Sequence, residues 1–265
     1  MATEAKLSAG APVSMSELMV TAAAHELKDG EVACVGIGLP MIACMLAKHT
    51  HAPDLTPILE IGVANMHAVD TPVGLADPRI YYRATCLSGF LDMLGMSLHR
   101  GIVDVGFLGG LEADRWGNSN TSLVKTPDGR IRWMNGSAGA NDVASHCKRL
   151  MVCLRHGKRK LPERVTHLTS PGFPGGKSRE EAGMRGGGPH RVITDMCIIG
   201  FGPDHEPVLL SVHPGLTAQQ VVDNTGFTLR VPEVVPTTVG PTNHELRLLR
   251  EEIDPQRMFL KDREE

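Results

Sequence analysis

The stretch EVACVGIGLPMIACMLAKH, residues 31–49, is where the fold can be read. Residues 31–35 form a short apolar run with the length of a buried strand. Gly36 and Gly38 follow and turn the chain tightly. Pro40 stands near the first helical position, where a missing N–H costs nothing, and a helix is expected over residues 40–49. The unit is strand, glycine turn, helix.

Similar units flank it. Upstream, residues 16–27 read as a helix, with Ser14 or Ser16 as cap and Gly30 as stop. Downstream, strands are expected at 57–59, 103–108 and 149–154. An amphipathic helix is expected at 87–98 and a short helix at 142–148. Residues 192–199 and 208–212 suit strands at a sheet edge or in a hairpin. A helix over 217–224 has Thr217 as cap, and another over 245–253 has Asn243. Apolar strands alternating with helices predict an α/β fold, an open, mostly parallel sheet with flanking helices. Residues 1–15 read as a flexible tail and 16–265 as a single domain. Residues 162–190, rich in Gly, Pro and charge, read as a long loop serving as lid, binding loop or partner contact.

Composition excludes several classes of function. Hydrophobic residues make up 42% and charged residues 22%, so the chain can bury a core and is not disordered. A net charge of -3 and 4% aromatics argue against a nucleic-acid partner. The basic run HGKRK, residues 156–160, reads as a solvated loop. The six cysteines are scattered without a CxxC, as expected of reduced, buried thiols rather than structural zinc. The N-terminus lacks the pattern of a signal peptide. No apolar run reaches the length of a membrane span. A cytoplasmic chain without membrane contact is expected.

Familiar motifs fail. Gly36-Ile37-Gly38 lacks the third glycine of a dinucleotide fingerprint, position 41 being Met, and no ribose-binding acid follows. An anion near this turn remains compatible with the helix N-terminus. There is no GxxxxGK[ST], HExxH or GxSxG, and neither His146-Cys147 nor His213-Pro214 forms a metal motif. His146 is expected to pack or bond locally, and no metal or bound cofactor is expected.

Four segments remain unusual: ILEIGVAN (58–65), FLGGLEADRWGNSN (107–120), GSAGANDVASHCKRLMV (136–152) and LLSVHPGLTAQQVVDNTGF (209–227). In the first, a glutamate follows an apolar run two residues before a glycine. Strand ends of an open α/β sheet are where ligands bind, so positions 60, 109 and 139 are expected to converge there.

Together and in this order, the four segments resemble the beta subunit of the glutaconate CoA-transferase group, within the class I CoA-transferases. The resemblance spans residues 16–254. It implies a CoA-transferase/ribose-phosphate-isomerase-like fold. It implies a hetero-oligomer with a homologous alpha subunit, at least a heterodimer, and a coenzyme A thioester as substrate. It also implies that Glu60 is the nucleophile, attacking an acyl-CoA and passing through a glutamyl-CoA thioester. The family's Glu-Ser-Gly is Glu60-Ile61-Gly62 here, and Ile61 departs from it. Gly139 is implied as the backbone oxyanion donor, and Ile61, Val63 and Met66 are expected to keep water from Glu60. The weaker substrate- or CoA-binding candidates are Gly62, Arg79, Arg83, Gly109, Asn118, Asn120, Ala140 and Asn141. Against those roles stand plainer readings: Asp114, Asn118 and Asn120 as turn formers, Asn141 or Asp142 as a helix cap, and both arginines as surface charge. A hydrolase or decarboxylase of the same fold, or a non-catalytic partner subunit, are the alternatives.

Overall fold

The computed structural model describes residues 5–6, 12–68, 70–126 and 128–260. Its centre is a nine-stranded sheet. In chain order the strands are β1 (Val32–Val35), β2 (Thr56–Leu59), β3 (Val63–Ala64), β4 (Cys86–Leu87), β5 (Val105–Gly109), β6 (Arg149–Cys153), β7 (Pro189–Ile193), β8 (Cys197–Phe201) and β9 (Pro207–Val212). Across the sheet they lie β9-β8-β7-β6-β5-β1-β2-β3-β4. The five strands from β7 to β2 are mutually parallel, and antiparallel hairpins extend both edges.

The parallel strands are covered on both faces, as the residue alternation requires. Ala33, Val35, Leu59, Phe107, Met151 and Cys153 point into one core, with helices α1 (Met15–His25) and α2 (Leu39–His49). Cys34, Ile58, Leu108, Leu150 and Val152 point into the other, with the π-helix Leu91–Leu98 and helix α3 (Ala140–His146). The chain leaves β1 toward β2 in one direction and leaves β5 toward β6 in the other. The crevice between β1 and β5 is therefore a topological switch point, with open carboxyl ends where ligands are received.

Several boundaries differ from expectation. Ser14 caps α1 in a reciprocal capping box with Glu17. Val13 is fully buried, and Ala5–Lys6 pairs with Pro12–Val13, so the end of the expected tail belongs to the fold. Residues 1–4 and 7–11 lie outside the described residues. The expected helix at 87–98 is shorter, because Leu87 is taken by β4. The expected strand at 192–199 breaks at Thr194, whose hydroxyl accepts from the Met196 and Cys197 amides and closes the hairpin. The last helical stretch starts at Asn243, and its cap is Thr242. Thr217 caps α4 (Ala218–Asn224) as the sequence predicts. No helix among the described residues is long and apolar enough to cross a membrane.

The 162–190 segment is fastened down rather than lid-like. Arg179, 6% exposed, donates to the carbonyls of Pro171, Gly172 and Gly186 within the loop, and to those of Ala144 and Ser145 near the end of α3. A buried cation answered by carbonyl oxygens needs no carboxylate partner, and the C-terminal end of a helix favours positive charge.

Candidate active site

Glu60 sits at the carboxyl end of β2, in the turn Glu60-Ile61-Gly62 that joins β2 to β3 through the Leu59–Val63 pair. The Gly62 amide closes the turn on the Leu59 carbonyl at 3.0 Å. Gly62 has φ +105°, and a Cβ there would stand 2.0 Å from the Ser88 carbonyl oxygen. Only glycine meets both demands. Gly62 thus fixes the turn that presents Glu60, and its own carbonyl accepts from the Ser88 amide at 2.7 Å.

Alternation places Glu60 on the Ile58 face, toward α3. There its carboxylate Oε2 accepts a hydrogen bond from the backbone amide of Gly139 at 2.7 Å. That is the short distance of a charge-assisted bond. Gly139 is the N-terminal cap residue of α3 and offers no capping side chain. The helix end is favourable ground for the negative charge. A Cβ on Gly139 would lie 2.4 Å from Glu60 Oε2 and 3.0 Å from both Leu94 methyl carbons, so the carboxylate approaches only because no side chain intervenes. Ala138, just before it, holds a left-handed φ of 43°, a local strain of about 1–2 kcal/mol for a non-glycine residue. Glu60 is half-buried. Burial pushes the Cys34 thiol up, with Cys147 and then the Glu60 charge adding to it.

The other expected residues divide clearly. Gly109 ends β5 and faces open space. Ala140 spends its amide on the Ser137 carbonyl, at the start of α3. Helix α3 begins before its expected start, so Asn141 and Asp142 lie inside its first turn and neither caps it. Asn141 instead donates to the Thr169 carbonyl. Asn118 binds Asp114 through its Nδ2 and the Gly172 amide through its Oδ1. Buried Asn120 binds Glu112, the Leu123 carbonyl and the Ser122 amide. Asp114 accepts from the amides of Trp116 and Asn118. Asp114 and Asn118 form one turn, as their plainer reading holds, while Asn120 lies in the short strand Ser119–Asn120 and shapes the bend that follows it.

Arg79 gives a bidentate fork to Asp77 and a further bond to Asp70 at 2.8 Å, so its charge is already matched. Arg83 lies on the other side of the sheet from Glu60. It lines a cavity of about 570 Å³ together with Met41, Met45, Lys48, Pro57 and Met66. Val63 and Met66 are buried in the α1–α2 core, and Ile61 packs against it, so they do not shield Glu60. The reason is register: Val63 pairs with Leu59 and shares its face, opposite to that of Ile58 and Glu60. Leu94, on the Ile58 face, stands beside Gly139 instead. Leu94 escapes sequence reading because nothing in its own segment points to Gly139. His213 is a buried structural histidine, bonded to the Thr194 carbonyl and the Thr238 hydroxyl.

A half-buried carboxylate at the carboxyl end of a parallel strand, bonded to a helix-terminal amide, is the chemical feature this α/β fold presents. The family model described as coenzyme A transferase matches residues 16–224. The chain belongs to this family. It is 36% identical over 239 residues to the B-type subunit of 3-oxoadipate CoA-transferase from Pseudomonas knackmussii, covering 89% of this chain and 92% of that one. It is 32% identical over 253 residues to the B-type subunit of glutaconate CoA-transferase from Acidaminococcus fermentans, covering 92% and 94%. The crystal structure of that glutaconate enzyme superposes with a TM-score of 0.85 at 30% identity, covering 95% of this chain and 98% of the other. The cholesterol ring-cleaving hydrolase IpdB subunit of Rhodococcus jostii is 33% identical over 234 residues, covering 85% of each.

Proposed function

We propose that this chain is the B-type subunit of a CoA-transferase, and that Glu60 is the residue through which coenzyme A passes. The observation that carries the reading is the 2.7 Å bond from the Gly139 amide to Glu60 Oε2. On this reading the two carboxylate oxygens do different work. Oε1, the oxygen without this bond, attacks the acyl-CoA carbonyl. CoA thiolate leaves, and an acyl-glutamyl anhydride is formed. The thiolate then adds to the glutamyl carbon, and the developing oxyanion is Oε2, already facing the Gly139 amide. Collapse breaks the bond between the glutamyl carbon and Oε1, so the free acid departs with that oxygen and leaves a glutamyl-CoA thioester. An acceptor carboxylate reverses the sequence. Covalent catalysis of this kind divides one hard exchange into easier steps. A preorganised donor at the oxyanion contributes about 3–4 kcal/mol.

The same geometry favours transfer over hydrolysis or decarboxylation, because the glutamate is present and oriented to form a covalent bond. An A-type subunit is the partner, in keeping with the subunit names of the relatives. The apolar side chains exposed on the segment that lies against Gly62 and Gly139 support a covering subunit there: Leu87 (63% exposed), Phe90 (52%) and Leu91 (76%). The substrates are an acyl-CoA and a carboxylic acid, with 3-oxoadipate and glutaconate as the acids named in two relatives.

The test uses the chain assembled with its A-type subunit. Acyl-CoA is added, and borohydride then reduces any glutamyl thioester. Reduction of Glu60, and loss of CoA exchange in Glu60→Gln, are expected. Full exchange by Glu60→Gln, or turnover to free CoA with no acceptor acid and no trapped thioester, would overturn the assignment.

A further inference from the structure

His99, Asp142 and His146 meet where the π-helix Leu91–Leu98 ends against α3. The His99 and His146 rings are stacked, with centroids 3.9 Å apart and planes 19° apart. His99 Nε2 lies 3.6 Å from Asp142 Oδ1. One donor atom from each of the three residues lies within 4.8 Å of the other two. We propose that these three side chains form a binding site for a divalent transition cation of the zinc class.

Two features support this. First, ligand bonds of about 2.1 Å at tetrahedral angles place donors about 3.4 Å apart. The His99–Asp142 pair is already near that spacing, and His99, half exposed at a helix end, can turn to close the rest. Second, His146 Nδ1 lies 3.0 Å from the Asp142 backbone carbonyl, which places the proton on that nitrogen and leaves Nε2 as the acceptor. A ring N–H spent on a backbone carbonyl is the usual outer-shell support of a metal-ligating histidine. Two imidazoles and one carboxylate suit zinc, cobalt or nickel, not magnesium or calcium, which take oxygen donors.

The position gives the site a consequence. Asp142 and His146 belong to α3, whose first residue follows Gly139, and His99 ends the helix whose Leu94 packs beside Gly139. A bound cation ties together the two elements that flank Glu60. Nothing in the binding itself depends on the chemistry of Glu60.

The test is a cobalt titration of the metal-stripped complex with its A-type subunit, read by visible d–d absorption, then displacement by zinc followed calorimetrically. Saturation at one cation per chain, displacement by zinc and indifference to magnesium are expected. His99→Ala and His146→Ala should each weaken binding at least tenfold while melting near the parent in chelator. His99 is exposed, so its variant stands as the clean test if His146→Ala proves unstable. Absence of a d–d band and of zinc heat overturns the proposal. Undiminished affinity in His99→Ala does so equally, placing any bound cation elsewhere.

Discussion

Replacing Gly139 by alanine isolates the contact on which the proposed chemistry rests. The native backbone at Gly139 has φ -80° and ψ 1°, a negative-φ bridge conformation that does not require glycine. The added methyl, however, would stand 2.4 Å from Glu60 Oε2. Ordinary carbon contacts need roughly 3.5 Å, so the carboxylate must retreat by about 1 Å. The 2.7 Å hydrogen bond then lengthens to roughly 3.7 Å, beyond what counts as one. Losing an oxyanion donor costs about 3–4 kcal/mol, or about 10²–10³ in kcat. The assay is CoA exchange by the assembled complex, with thermal melting of the same sample. Activity should fall in that range while the melting temperature moves little, because the displaced group is the tip of a flexible side chain. A companion variant separates causes: Leu94→Ala removes the other crowded contact but does not restore the donor. The double variant should therefore stay impaired. Exchange within about threefold of the parent in Gly139→Ala, or recovery in the double variant, refutes the reasoning.

Gly62→Ala should destabilise the fold by more than about 1 kcal/mol, because it combines a positive φ with a clash against a backbone carbonyl; an unchanged melting temperature contradicts the account of the turn. Arg179→Met removes five hydrogen bonds to buried carbonyls and should cost at least about 3 kcal/mol, read by urea unfolding. Burial lowers His213 from 6.5 to about 4, and burial also lowers His156. Below pH 6.5 the unfolded chain takes up protons that the folded His213 refuses, so stability falls as pH drops toward 4. The loss from His213 is at most about 3 kcal/mol. Unfolding free energies measured across that range should show a shallower slope in His213→Gln, and an identical slope would remove His213 from the account.

The local units and their order are legible in the chain alone. Residues 31–49 specify strand, glycine turn and helix because apolar run, glycine and proline each act within a few residues. Thr217 as cap follows from the same short-range chemistry. Ordered segments pointed to Glu60 and Gly139 as a pair, on the strength of resemblance rather than spacing. Folding in three dimensions settles which side chains share a face and which polar groups are already spent. Val63 and Met66 neighbour Glu60 in sequence, yet the pleat and the hairpin register send them to the opposite core. Arg79, Asn118 and Asn120 have the chemistry of ligand contacts, but each is matched by partners that folding supplies. Leu94 beside Gly139, and His99 beside His146, belong to elements that meet only when both pack on the same face of the sheet. Local propensity is written in neighbours along the chain, whereas the site is made by neighbours across it.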